Sequence, residues 1–319
     1  MLENEPDDYV NRLAFFALYR MGSCFVNQFT LSLVAGLALF SLTTTYAQRP
    51  QARVLNNVQI QRDLEYVEGG HERQKLDIYI QKDVDSPQPL VVWVHGGGWQ
   101  GGSKESARPM LPLLQHGYTV ASINYRLSQH ATFPAQIEDC KAAIRYLRAN
   151  AKKFNIDPER IGVAGASAGG HLVALLGTTG DVKELEGTLG NADQSSAVQA
   201  VVDLFGPTDL TQMGGSHNNP NSPEAKLIGG PVQELKAEAA KANPINYVSK
   251  DDPPFLILHG DEDRVVRHNQ SELLTAALNK AGVPVTFHTL KGAGHGGPQF
   301  QTLENQARVV SFFNQHLKK

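Results

Sequence analysis

The feature that most constrains this chain is a series of short, mainly apolar runs set between helical patterns, the one at 90–94 being continuous. Residues 90–94 read LVVWV, 118–125 YTVASINY, 198–205 VQAVVDLF and 254–258 PFLIL. A strand with one wet face alternates apolar and polar residues, so a run that is apolar throughout has to be covered on both faces. Between the runs, residues 135–154 place Ile137, Cys140, Ile144, Leu147 and Ala151 at three- and four-residue steps, the stripe of an amphipathic helix. Asn155-Ile156-Asp157-Pro158 ends that helix, 160–164 reads as the next strand, and a further helix starts near Gly169. Residues 271–281 read as a helix, 283–290 as a strand and 303–317 as a closing helix. The alternation predicts an α/β chain, a mostly parallel sheet with helices on both faces, in a single domain over residues 48–319. From about 211 to 250 the pattern breaks: 214–223 is loop-like and 232–242 reads as a short helix. This predicts a lid-like insertion over the C-terminal ends of the strands, where such sheets bind ligands.

Composition narrows the function classes. With 29 Lys+Arg against 32 Asp+Glu the formal charge is -3, which excludes the basic surface that nucleic-acid binding needs. Residues 31–42 (LSLVAGLALFSL) form an uncharged run too short to span a bilayer, followed by small residues ending in Thr45-Tyr46-Ala47. That pattern reads as a secretory signal peptide over 1–47, cleaved near Ala47, with an uncleaved anchor as the alternative. Glu3, Glu5, Asp7 and Asp8 ahead of the run are read as an over-long start. The expectation is a secreted or periplasmic protein with no stable membrane association after cleavage. Cleavage would remove Cys24, excluding an intramolecular disulfide, and Cys140 on its apolar stripe reads as a buried, inert thiol.

Two motifs carry chemistry. Gly165-Ala166-Ser167-Ala168-Gly169 is a G-x-S-x-G pattern between a predicted strand and a predicted helix. A sharp turn there lifts the serine hydroxyl clear of the backbone, and small neighbours avoid clashes. The N–H after the serine lies at a helix N-terminus, where unpaired donors favour developing negative charge. His95-Gly96-Gly97-Gly98-Trp99 follows the strand at 90–94, and its glycines let backbone N–H groups turn toward a substrate oxygen. A phosphate loop is the bland alternative, but no G-K-[ST] follows and no G-x-G-x-x-G pattern opens a helix here.

A serine nucleophile needs a base, and the base needs a carboxylate. Among eleven histidines, His295 has the best setting, in a Gly-rich loop after the strand at 283–290. His259 is expected to pack beneath the site and His171 within its helix, while His217, His268 and His316 read as surface residues. Asp263 and Asp261 both follow the strand at 254–258 and compete for the carboxylate role; Asp203 and Asp209 read as structural. No H-E-x-x-H occurs and cysteines are few, so neither a metal nor another cofactor is expected.

H-G-G-G-W, G-x-S-A-G-G-H and H-G-x-x-D-x-x-V together resemble the hormone-sensitive-lipase-like and feruloyl-esterase-like branch of the α/β-hydrolases, from about Leu76 to the C-terminus. Asn124-Tyr125-Arg126-Leu127 and Asp157-Pro158-Glu159-Arg160-Ile161 add to the likeness. The chain order Ser167, Asp263, His295 is the α/β-hydrolase order. The resemblance implies the α/β-hydrolase fold, favours Asp263 over Asp261, and implies an oxyanion hole from the N–H groups of Gly97, Gly98 and Ala168. Arg267 stands where the family often has a proline, a departure that affects the loop wall. The short chain before His95 argues against long-chain lipid substrates. The expectation is an exported serine hydrolase that cleaves short-acyl carboxylic esters, small or polysaccharide-linked (acetyl or feruloyl), through an acyl-enzyme on Ser167. A prolyl-oligopeptidase-type peptidase is opposed by the Gly-rich loop and the absence of room for a propeller. A non-catalytic binding protein is opposed by the complete triad.

Overall fold

The structure is a computed structural model that describes residues 57–318. The signal-peptide expectation for 1–47 lies outside the described residues. Eight strands form one sheet: β1 (Val58–Glu65), β2 (Lys75–Gln81), β3 (Gln88–Val94), β4 (Thr119–Ile123), β5 (Ile156–Ala166), β6 (Ala200–Leu204), β7 (Phe255–Gly260) and β8 (Val285–Leu290). Their spatial order is β1-β2-β4-β3-β5-β6-β7-β8. The two β1 and β2 pairings are antiparallel and all others parallel. The antiparallel pair at the edge was not separately legible in the sequence, because β1 is half-wet along its length and carries no apolar run.

The apolar runs divide as a two-residue period requires. Leu90, Val92 and Val94 join one core and Val91 joins the other with Trp93. Helices α1 (Ala135–Ala149), α2 (Ala151–Phe154), α3 (Ala168–Thr178) and, later in the chain, the helix Asn269–Ala281 cover the first face. The closing helix Leu303–Leu317 covers the second with Val309, Phe312, Phe313 and Leu317. Cys140 is a free, buried thiol on α1, its pKa pushed up by burial.

Two expectations shift. The long helix breaks at Asn150, and Asn155 turns left-handed (φ 51°, ψ 45°) straight into β5. Asp157 and Pro158 therefore lie inside the strand, at a register shift where the ladder with β3 is interrupted, so the proline costs no regular hydrogen bond. The insertion carries two helices rather than one. Helix α4 (Pro223–Ile228) starts where the sequence read as loop, with Ser222 accepting from the Ala225 N–H. Helix α5 is confined to Lys236–Lys241. The helices Asn269–Ala281 and Leu303–Leu317 are α6 and α7. Among the described residues, no helix is long and apolar enough to cross a membrane.

Asp203 on β6 is fully buried; its Oδ1 accepts from the Gly206 N–H at 2.9 Å and its Oδ2 has no partner. Burial pushes its pKa up to about 6, opposed by the Gly206 bond and the nearby His259. The folded state therefore holds this proton more tightly than the unfolded chain, and stability falls as pH rises from the ordinary aspartate range to about 6. Asp203→Asn should stabilise the protein above that window by about 2–3 kcal/mol, and by much less at pH 4. Urea denaturation at the two pH values reads the difference.

Candidate active site

Ser167 sits between β5 and α3 in a conformation that costs energy for a residue with a side chain, φ 56° and ψ −122°. The close approach of α3 to the strand ends makes this turn possible. A Cβ on Gly169 would lie 2.1 Å from the Val94 carbonyl oxygen, and one on Gly165 2.2 Å from that of Gly169. Leu204 of β6 holds the turn by accepting from the Ser167 N–H at 2.9 Å.

The loop after β3 lies against the same turn. A Cβ on Gly96 would lie 2.6 Å from the Ala166 carbonyl oxygen, and Gly97 and Gly98 adopt φ 114° and 59°. His95 anchors this loop. Its ring stacks on Tyr125 at 4.4 Å, Arg73 donates to Nε2 at 2.9 Å, and Nδ1 lies 2.7 Å from the Gly96 carbonyl. Burial lowers its pKa to about 4, so the ring is neutral and its one N–H donates to Gly96. Trp99 donates to Nδ1 of His171 at 3.3 Å, and His171 Nε2 donates to the Ala242 carbonyl of the insertion at 2.6 Å.

The loops after β7 and β8 bring the remaining groups in. His295 Nε2 lies 2.8 Å from Ser167 Oγ, and its Nδ1 2.7 Å from Asp263 Oδ2. Asp263 is buried, and burial alone would raise its pKa. Hydrogen bonds from His259, His295 and the Val265 backbone outweigh that and hold it well below the usual carboxylate range. Asp261, the rival, points outward to Lys291 at 3.0 Å and accepts from the Gly292 N–H.

The sequence therefore brings Ser167, Asp263 and His295 to one place, with the Gly97, Gly98 and Ala168 segments lining the same cleft of about 410 Å³. It placed His259 beneath the site, but not its role as a donor to Asp263: Nε2 is 3.2 Å from Oδ2 and Nδ1 is 2.7 Å from Ser271 Oγ. The expectation of a surface His217 does not hold. Its side chain is 16% exposed, lines the cleft and pairs with Glu224, which sequence reasoning missed. The signal was present in Ser222-Pro223-Glu224, a cap and first turn that announce a helix. His268 is also only part-buried, between Glu272 and Thr289. Beyond Phe205, whose ring meets His295 edge-on at 4.7 Å, lies an apolar cavity of about 210 Å³.

The BD-FAE family model matches residues 76–278. The chain belongs to the BD-FAE family. Esterase LipQ of Mycobacterium tuberculosis (strain ATCC 25618 / H37Rv) is 34% identical over 260 residues, 79% of this chain and 61% of its own. Among solved structures, a truncated carbohydrate esterase from gut microbiota is 40% identical with a TM-score of 0.78, over 82% of this chain and 97% of that one. An acetyl ester-xyloside bifunctional hydrolase from Caldicellulosiruptor lactoaceticus is 31% identical with a TM-score of 0.65, over 76% and 87%. The chain spans about three-fifths of the length of the curated relatives it matches. The sheet and its helices are those of the α/β-hydrolase esterases.

Among the described residues of this BD-FAE chain, one group has metal-like spacing: His71, Glu72 and His130 bring ligand atoms within 4.8 Å of one another. Their chemistry fits a metal poorly. Nδ1 of His71 accepts the Arg73 N–H and Nδ1 of His130 the Leu127 N–H, which leaves the proton of each neutral ring on Nε2, the remaining ligand atom.

The steric account of the turn is directly testable. Gly169→Ala drives a Cβ into strand backbone and should cost about 3 kcal/mol or more. Gly98→Ala meets nothing closer than Pro223 at 3.4 Å and should cost about 1–2 kcal/mol, from its left-handed φ. Urea midpoints of the two variants give the ranking.

Proposed function

We propose that this protein is an exported serine esterase that cleaves short-acyl carboxylic esters through an acyl-enzyme on Ser167. The observation that carries the reading is the continuous contact from Ser167 Oγ through His295 to Asp263, at 2.8 and 2.7 Å. Ser167 attacks the acyl carbon while His295 Nε2 takes its proton. The carbonyl oxygen, now negative, is received by the N–H groups of Gly97, Gly98 and Ala168. Collapse expels the alcohol, which takes the proton back from His295, and water repeats the sequence on the acyl-enzyme. Asp263, ionised throughout, holds the ring with Nε2 free to accept and stabilises the imidazolium that forms.

The carbohydrate esterase and acetyl ester-xyloside hydrolase likenesses support acetyl esters of polysaccharide as natural substrates, and the apolar cavity beyond Phe205 supports an acyl group of limited size. Export rests on the apolar run at 31–42 and the small residues that follow it.

Hydrolysis of p-nitrophenyl esters from acetate to laurate tests the reading. The short esters should be cleaved fastest, and Ser167→Ala should abolish the reaction; equal rates in both proteins would sink the mechanism. Asp263→Asn should lower kcat by about 10⁴-fold, whereas Asp261→Asn should stay within about threefold, because Asp261 faces solvent. Asp263 stays ionised and the base must be able to accept the Ser167 proton, so activity should rise with pH on the acid side.

A further inference from the structure

The cleft has a second ionisable pair, on the insertion side. His217 Nδ1 lies 2.9 Å from Glu224 Oε1 and its Nε2 lies 2.9 Å from the Val265 carbonyl oxygen. The Val265 N–H in turn donates to Asp263 Oδ1 at 2.8 Å. Hydrogen-bonded residues therefore run without a gap from the insertion to the nucleophile: Glu224, His217, Val265, Asp263, His295, Ser167.

Proton counting makes this connection conditional. Both ring nitrogens of His217 face acceptors, a carboxylate and a carbonyl. A neutral ring has one N–H and can satisfy only one of them, and both bonds form only if the pair holds an additional proton. Writing that proton on the imidazole or on the carboxyl leaves the count unchanged. Glu224 enforces the arrangement. It is 3% exposed, and its Oε2 has no partner among the described residues, so His217 is the donor that makes burial of this carboxylate tolerable.

From this geometry we propose that His217 is a positioning residue for ester cleavage, its protonated ring clamping the insertion to the turn that carries Asp263. The proposal rests on the esterase reading above and adds a requirement to it. When the pair loses its proton, either the Val265 carbonyl or the Glu224 carboxylate is released. The turn at Asp263 then loses its tie to α4, and α4 lies against the oxyanion loop through Pro223 and Gly98. Two charged groups act on the ring: Glu224 from α4 raises its proton affinity and Arg267 from the Asp263 turn lowers it. Burial also lowers it, and Glu224 prevails. Activity should therefore fall on the alkaline side as well as the acid side, through loss of a different proton.

The experiment is the profile of kcat and KM for p-nitrophenyl acetate from about pH 5 to pH 9, on wild type, Glu224→Gln and His217→Gln. Hydrogen exchange of residues 214–224, corrected for the intrinsic pH dependence of amide exchange, is followed in parallel. In wild type the alkaline arm should appear in kcat rather than KM, with exchange at 214–224 rising over the same interval. Glu224→Gln removes the charge that raises the ring's proton affinity and should move the arm to lower pH by about one unit. His217→Gln has no proton to lose; its alkaline arm should vanish and its kcat near neutrality should lie about tenfold below wild type. If His217→Gln does not fold, the displacement in Glu224→Gln decides. An alkaline arm missing from wild type, or unmoved in both variants, overturns the proposal. A wild type without Ser167-dependent hydrolysis sinks the esterase reading instead, and the exchange profile then decides the clamp alone.

Discussion

The close approach of α3 to the ends of β3 and β5 is the constraint on which the rest of the site depends. Backbone meets backbone there with no room for a Cβ at Gly165 or Gly169, and the loop after β3 comes equally close at Gly96. Once the helix start is that near the strand ends, the chain between has to turn sharply, and Ser167 takes the left-handed φ the turn requires. The strain is held by surrounding structure: β6 accepts the Ser167 N–H, and the carbonyl of Ser167 accepts from His171 in the first turn of α3. The first N–H groups of α3 and the glycine loop are thereby brought to one cleft before any ligand arrives.

Buried charge is organised around the same cleft in three degrees of satisfaction. Asp263 accepts from two imidazoles and from the N–H groups of Val265 and Val266. Hydrogen bonds to a charged group contribute about 1.5–3 kcal/mol each, enough to outweigh the cost of burial and keep it ionised. Asp203, with one backbone donor and an unpartnered oxygen, is driven toward its protonated form. Glu224 falls between them, with one donor that is itself titratable. The number and kind of donors, rather than depth, separate a permanent charge from one tied to a proton.

What was legible in the sequence follows from how local each signal is. The parallel strands were legible because burial on both faces leaves a continuous apolar run, as at Leu90–Val94, now split between the two cores. Ser167 and the glycine loop were legible because the turn allows so few residue types. Edge strand β1 was not, since a half-wet strand needs no such run. Asp263 and Asp261 could be ranked only by resemblance; two residues apart on one loop, they differ in direction, and direction belongs to the turn. The setting of His217 was legible only in part. The helix start at Ser222-Pro223-Glu224 could be seen in the sequence, but Val265 lies on a distant segment and nothing near His217 announces its approach.

The insertion is best understood from where it is fastened. On one side, Trp99 of the glycine loop is tied through His171 to the Ala242 carbonyl. Burial lowers the His171 pKa to about 4, so that connection runs through a neutral ring and is insensitive to pH around neutrality. On the other side the fastening is His217, between a carboxylate and the turn that carries Asp263. The insertion thus bridges the glycine loop and the turn that carries Asp263, two sides of the same cleft. A segment held at both ends acts as a wall of the cleft. Of these two ties, only the one through His217 depends on a titratable pair, so under the clamp proposed above this wall opens first at the Asp263 side.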